Sequence, residues 1–267
     1  MTQDPTSVTS ADSTSTSACR ADILCTDHQF LPWLRLLPET FCSGRGETLC
    51  DRRNQVKRFE VGDTVVIVKR FRQPKGLQRL AYSTFWPDKA VKAYRYALRL
   101  LELGIDTPRP IGAVTLRGRF GGVVQYYLAT EENRWPDCSC LREDPDFPDR
   151  EALTDALAAY LVTLHGKGFL HGDTNLSNFL YRREADGTYR FAVIDINRSR
   201  FTSGEPTRRQ CLDNLFRLTH VRPLLTALVS AYARHRQWDE SACVAHVLHC
   251  LDRFERKKAF LRRLKGL

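Results

Sequence analysis

One stretch constrains this chain more than any other: His171-Gly172-Asp173-Thr174-Asn175-Leu176-Ser177-Asn178, followed by Phe191-Ala192-Val193-Ile194-Asp195-Ile196-Asn197-Arg198. An aspartate is followed by an asparagine, and a second aspartate closes an apolar run. Four fixed letters in the pattern H-G-D-x4-N arise by chance in roughly one chain in a thousand of this length. A turn rich in Asn and Asp would explain the loop alone. It would not explain the aspartate at the end of the apolar run. The order fits phosphoryl transfer. Asp173 supplies a base for an acceptor hydroxyl, and Asn178 and Asp195 supply hard oxygen ligands for magnesium.

The spacing between Asn178 and Asp195 leaves room for a β-hairpin turning at Glu184-Ala185-Asp186-Gly187, with both residues at one end of it. His171 is read as a support that hydrogen-bonds backbone. Asn197 and Arg198 stand beside Asp195 with two readings open. They touch the metal site or the acceptor's negative groups, or Arg198 ties the loop to a carboxylate.

A chain of 267 residues accommodates a two-lobed domain of about 250 residues, not several independent ones. Its 42% hydrophobic and 27% charged content is that of an ordinary globular protein. No run approaches the roughly 20 apolar residues of a membrane span. Residues 1–25 are expected to form a disordered tail, because Met1–Arg20 is rich in Ser, Thr and Asp and has no apolar signal-peptide core. These features place the chain in the cytoplasm. The nine cysteines are an odd number without framework spacing, as in a reduced compartment. Cys138-x-Cys140 and the trio Cys243, His246, Cys250 are metal-like, but neither is a full tetrahedral set. A net charge of +10 favours anionic partners; no nucleic-acid motif accompanies it.

Along the chain, Phe30–Leu37 is a short apolar lead-in ending at Pro38. Strands follow at Glu47–Cys50, Gln55–Glu60 and Thr64–Phe71, an antiparallel meander with turn signals at residues 51–54 and at Gly62-Asp63. Pro74–Gly76 is a loop. Lys89–Leu103 is a helix with Ala90, Ala93, Tyr94, Ala97, Leu100 and Leu101 on its apolar face, closed by Gly104. Strands near Ile111–Thr115 and Gly122–Leu128 complete an N-terminal lobe at residues 26–132. Residues 133–267 form a helical C-terminal lobe, with helices at Arg150–Gly168, Cys211–His220, Val221–Arg234 and Ser241–Lys265. The fold class is α+β. Lys69 lies inside the Val/Ile-rich strand, where its ammonium is costly unless it reaches an anion; an edge lysine reaching solvent, with Arg70 as an equal candidate, is the alternative.

The 171–178 and 194–198 strings resemble the lipopolysaccharide kinase family, the bacterial Kdo and core-heptose kinases of protein-kinase-like fold. Val68-Lys69-Arg70-Phe71, Asp88-Lys89-Ala90 and the Gly104–Ile111 segment are similar to that family's pattern, so the resemblance runs from about Arg45 to Arg217. It implies a two-lobed kinase-like fold, ATP and Mg2+ as cofactors, and a glycan or glycolipid acceptor. It implies Asp173 and Lys69 as catalytic residues, with Lys69 on the nucleotide phosphates. It implies Asn178 and Asp195 on the metal, and adenine near Val123–Leu128 and Glu131. His171-Gly172-Asp173 is shared with small-molecule phosphotransferases of the aminoglycoside or fructosamine type, which leaves that class as an alternative. A nucleotide-binding pseudokinase scaffold is a further one.

Several departures from the kinase pattern stand out. No G-x-G-x-x-G precedes Lys69, and Arg52 and Arg53 in the first hairpin turn are offered for phosphate binding instead, against a solvated turn. No glutamate lies in the middle of the helix to pair with Lys69; Asp88 is early and Glu102 late. Asp195 is followed by Ile-Asn, with too short a segment after it for a protein-substrate platform. Leu251–Leu267 carries seven basic residues against Asp252 and Glu255. It is read as a helix for an anionic membrane surface or as a solvated packing helix.

Overall fold

A computed structural model describes residues 19–52, 54–72 and 89–264. They fall into two units: residues up to Glu102 with Thr107–Arg134, and Leu103–Asp106 with Trp135 onward. The expected Pro74–Gly76 loop, Asp88 and Arg53 lie outside the described residues.

The first unit is built on β1 (Arg20–Leu24), α1 (Leu31–Cys42), β2 (Glu47–Asp51), β3 (Gln55–Val61), β4 (Thr64–Phe71), α2 (Lys89–Glu102), β5 (Pro110–Arg117) and β6 (Val123–Glu131). The strands make one six-stranded sheet in the order β1-β5-β6-β4-β3-β2, every pair antiparallel. β4 holds an interior place because its β-branched residues fill both faces of a pleat. Val66 and Val68 point to one face and Phe71 to the other. The second face is covered by α2, whose buried Ala90, Ala93, Tyr94, Ala97 and Leu100 recur at helical spacing. Leu101, expected on that stripe, is exposed.

Two parts of this unit go beyond the sequence expectation. Arg20–Leu24, placed in the tail, is an edge strand paired with β5. The lead-in expected to stop at Pro38 is a full helix that runs through it to Cys42. An interior proline costs about 3 kcal/mol. Burial of Phe30, Leu34, Leu37 and Phe41 against Phe59, Val66, Val68 and Tyr127 offsets that cost. Leu34 packs so closely on β5 that a Cβ at Gly112 would lie 2.5 Å from it. The end of α1 is held by the buried Lys57 of β3, whose Nζ donates to the carbonyls of Phe41 at 2.9 Å and Arg45 at 3.2 Å. The sheet therefore carries one helix on each face.

The second unit contains α3 (Arg150–Gly166), β7 (Phe169–Leu170), β8 (Phe179–Arg183), β9 (Tyr189–Val193), β10 (Arg200–Phe201), α4 (Arg208–Leu215), α5 (Arg222–His235) and α6 (Glu240–Leu264). β8 and β9 form the expected hairpin, turning at Glu184–Gly187. β7 and β10 make a second antiparallel pair. α3 and α5 share a buried polar contact. His165 Nδ1 lies 2.8 Å from the Tyr232 hydroxyl, and Nε2 lies 3.2 Å from Asn214 Oδ1. Asn214 Nδ2 in turn donates to the carbonyl of His171 at 2.7 Å. Burial pushes the His165 imidazole down to about 4, so it is neutral at pH 7.

Two predictions concern this framework. Leu34→Ala should destabilise the protein by about 2–5 kcal/mol. Leu36→Ala, on the exposed side of the same helix, should stay within about 0.5 kcal/mol; urea unfolding compares the two. For His165, the pKa is lowered on folding, so its contribution is complete above its ordinary value of 6.5 and is lost as pH falls toward about 4. The loss should be on the order of 3 kcal/mol. NMR titration of the imidazole should show no protonation at pH 6; protonation there would refute it.

Candidate active site

β7 delivers the chain into the 171–178 loop, and the loop is held by backbone bonds more than by packing. His171 is buried. Its Nδ1 accepts from the Asp173 N–H at 3.0 Å, so Nε2 carries the hydrogen and donates to the Ile194 carbonyl at 2.9 Å. Burial lowers its pKa from the ordinary value, which keeps the neutral tautomer this geometry needs. Gly172 touches the backbone that follows β9: a Cβ there would lie 2.1 Å from the Arg198 carbonyl oxygen. Only glycine permits that approach. Thr174 Oγ1 donates to the Asn214 carbonyl at 2.5 Å, and Asn178 Nδ2 donates to the Asp173 carbonyl at 2.8 Å.

Asn178 and Asp195 flank the hairpin. Asn178 immediately precedes β8 and Asp195 follows β9, and the Ile194 N–H donates to the Asn178 carbonyl at 3.0 Å. Asp195 is a non-glycine residue in the left-handed region, with φ 54° and ψ 46°. That conformation costs roughly 1–2 kcal/mol, and such outliers concentrate at functional positions. Asn197 Nδ2 donates to Asp195 Oδ1 at 2.7 Å. Asp173 and Asp195 are both close enough to His171 to act on its charge. The structure thus gathers Asp173, Asn178 and Asp195 around the buried imidazole of His171, with Asn197 bonded to Asp195. The bond from Asn178 Nδ2 to the loop commits the amide nitrogen and turns its oxygen into the available donor atom. A carboxylate and an amide oxygen carried at the two ends of one hairpin are ligand types that suit Mg2+, which takes oxygen ligands and completes its shell with phosphate.

Asp173 is itself engaged by two arginines. Arg217 Nη2 lies 3.0 Å from Oδ1, and Arg198 Nη1 lies 3.9 Å from Oδ2. Arg217 and Asn214 escaped the sequence reading. Both sit at or just past the end of α4, where the only signal was a helical apolar pattern, and nothing in that pattern points back to the loop.

The remaining candidates belong to the first unit. Lys69 is on the sheet face that carries α2, with its Nζ 5.4 Å from the Phe71 ring centre. Arg52 is exposed in the β2–β3 turn; Arg53 lies outside the described residues. Glu131 ends β6 and pairs with Arg109. The metal-like cysteine trio is reassembled. Cys243 is buried beside Arg208, while His246 and Cys250 meet Asp213, at 2.7 Å and 3.4 Å from its Oδ1, with Arg209 facing the same carboxylate. Cys138 is buried and the Cys140 thiol lies 3.6 Å from the Tyr181 hydroxyl. A groove of about 830 Å³ runs between α3 and the hairpin, lined by Ala156, Tyr160, Thr188 and Arg190 among others. Asp173, Asn178 and Asp195 do not line it.

Comparison with known proteins bears on the family and the fold. Residues 70–240, well over half the chain, match the model of the Lipopolysaccharide kinase (Kdo/WaaP) family. No curated protein matches. Among solved structures, WaaP in complex with acyl carrier protein is similar with a TM-score of 0.57 at 20% identity, covering 86% of this chain and 98% of that one. The Rio2 kinase–ADP/Mg2+–phosphoaspartate complex from Chaetomium thermophilum gives 0.47 at 13% identity, over 85% of this chain and 75% of that one. The first likeness shows a kinase-like fold, as the residues had suggested. By the extent and content of the family match, this chain belongs to the lipopolysaccharide kinase (Kdo/WaaP) family.

Proposed function

We propose that this member of the family transfers the γ-phosphoryl group of ATP to a sugar hydroxyl of the lipopolysaccharide inner core or a related glycolipid. The observation that carries the reading is the assembly of Asp173, Asn178 and Asp195 around His171, with Asp195 in a strained backbone conformation at the other end of the hairpin that Asn178 begins. Family membership supports the kinase chemistry, and the donor set supports the metal.

In this reading the acceptor hydroxyl is oriented by the Asp173 carboxylate. Its oxygen forms the new bond to the γ-phosphorus, the bond from that phosphorus to the bridging oxygen breaks, ADP leaves, and the hydroxyl proton passes to Asp173. Asn178 and Asp195 would hold Mg2+, whose charge offsets that of the phosphates. Lys69 is assigned to the α/β-phosphates as a point charge. Arg52, and Arg53 beside it, are assigned to phosphate oxygens, and backbone near Glu131 to the adenine. His171 orders the loop.

The far end of α6 adds a place of action. Phe254, Phe260, Leu261 and Leu264 are exposed along it, interleaved with Arg253, Arg256, Lys257, Lys258, Arg262 and Arg263. Among the described residues no helix is long and apolar enough to cross a membrane. A basic helix with exposed apolar side chains suits the surface of an anionic bilayer, where a lipid-linked acceptor is found.

Two tests follow from these assignments. Asp173→Asn should lower kcat by about 10²–10⁴-fold with Mg·ATP binding nearly unchanged, whereas Asp195→Ala should abolish the magnesium dependence of nucleotide binding in calorimetry. A kcat close to that of the unaltered protein in the first variant, or magnesium-dependent binding surviving in the second, would refute the assigned roles. The triple variant Phe260→Ser, Leu261→Ser, Leu264→Ser changes only exposed positions and should reduce sedimentation with phosphatidylglycerol vesicles. Sedimentation equal to that of the unaltered protein would refute the membrane contact.

A further inference from the structure

Both carboxylate oxygens of Asp173 face a guanidinium, Arg217 on Oδ1 at 3.0 Å and Arg198 toward Oδ2 at 3.9 Å. The two arginines come from different places, one from the helical turn after β9 and the other from just past α4. Arg217 is further located by α6. Its guanidinium carbon lies 5.6 Å from the Phe254 ring centre, and Phe254 packs on Phe216 at 5.5 Å. Cation–π contact of this kind fixes an arginine while leaving its N–H groups for other partners.

A structural explanation for the pair is weak. The loop backbone is already fixed by His171, Asn178 and Asn214, none of which uses the Asp173 side chain. The side chains of Arg198 and Arg217 are 46% and 36% exposed, and ion pairs open to water contribute only about 0–1 kcal/mol. Such pairs are readily exchanged for a better anion. A planar fork of N–H donors is the group that binds carboxylate and phosphate oxygens in bidentate fashion. An acceptor approaching this carboxylate and the nucleotide phosphates while bearing its own negative charge would be repelled unless cations stood beside Asp173.

We infer that Arg198 and Arg217 form an anion subsite for the acceptor, gripping a carboxylate or phosphate that lies close to the hydroxyl being phosphorylated. The inference rests on the reading of Asp173 as the residue that meets that hydroxyl. When the acceptor's anion takes the guanidinium groups, Oδ1 of Asp173 is released to accept the hydroxyl's hydrogen bond. The substrate class is a sugar with an acidic group adjacent to its reacting hydroxyl, and a neutral sugar leaves the arginines on the aspartate.

The test uses core oligosaccharide from lipopolysaccharide in three forms: native, carboxyl-reduced and dephosphorylated. In the unaltered protein, KM should rise roughly 10- to 100-fold, as expected for loss of charged hydrogen bonds, when the recognised group is removed. Which of the two altered forms shows the rise identifies the group. In Arg217→Gln and Arg198→Gln, KM for the native form should rise similarly, the distinction between forms should vanish, and kcat should change less than KM. Equal KM for all three forms in the unaltered protein, or a fall in kcat alone in the variants, would overturn the inference. A second readout does not depend on turnover. With the nucleotide site saturated by Mg·AMP-PNP, inorganic phosphate should shift the Arg217 Nε–H resonance, and Arg217→Gln should abolish saturable phosphate binding there. Absence of a shift overturns the subsite. A shift without transfer to any oligosaccharide leaves the anion subsite in place and refutes the proposed acceptor instead.

Discussion

A buried imidazole holds the candidate site together. His171 joins two pieces of chain that are remote in sequence, accepting from the N–H of Asp173 and donating to the carbonyl of Ile194. Both bonds require the neutral ring with its hydrogen on Nε2. Burial supplies that state, because a charged imidazole loses its hydration there. The position of Asp173 and the approach of Asp195 both follow from this one ring. Asn214 carries the constraint outward, since it ties the His171 carbonyl to His165 and so to the packing of α3 on α5. The loop is thus braced by uncharged polar groups in the interior, while Asp173 is part-exposed and Asp195 exposed.

The sheet unit solves a different problem. A strand carrying both Val66-Ile67-Val68 and a lysine must cover two faces and still present the ammonium. Here α1 and α2 divide the faces between them. Lys57 is spent on the end of α1, whereas Lys69 lies on the other face of the sheet, beside the Phe71 ring. Two lysines in neighbouring strands therefore have unlike settings, one buried and structural, the other in reach of Phe71 near the strand end.

What could be read from the residues depended on how local the signal was. Thr64–Phe71 and the Glu184–Gly187 turn were legible because strand alternation and turn chemistry act over a few residues. The proximity of Asn178 and Asp195 was legible because the hairpin between them could be read from its turn. α1 was obscured by Pro38, a correct local penalty overridden by tertiary burial of Leu34 and Leu37. β1 was hidden by its neighbours: Arg20–Leu24 is short and polar at its start, and its pairing partner β5 is far along the chain. Arg217 and Asn214 were invisible for the same reason, since their importance lies in contacts across the fold with a loop some forty residues earlier.

The close approach at Gly172 explains why these distant contributions are compatible. With no side chain at that position, the backbone before Asp173 lies against the backbone of Arg198. Arg198 is thereby brought to the same carboxylate that Arg217 reaches from just past α4. A bulkier residue would push the two segments apart and would separate Asp173 from Arg198 and Asp195 together. The left-handed conformation of Asp195 acts in the same direction, turning the chain sharply after β9 so that the next residues run back along the loop. One glycine and one strained aspartate thus set the spacing between an anionic group and its surrounding cations. A small volume holding a carboxylate and two guanidinium groups, open to solvent, favours a ligand that brings both a hydroxyl and a negative charge.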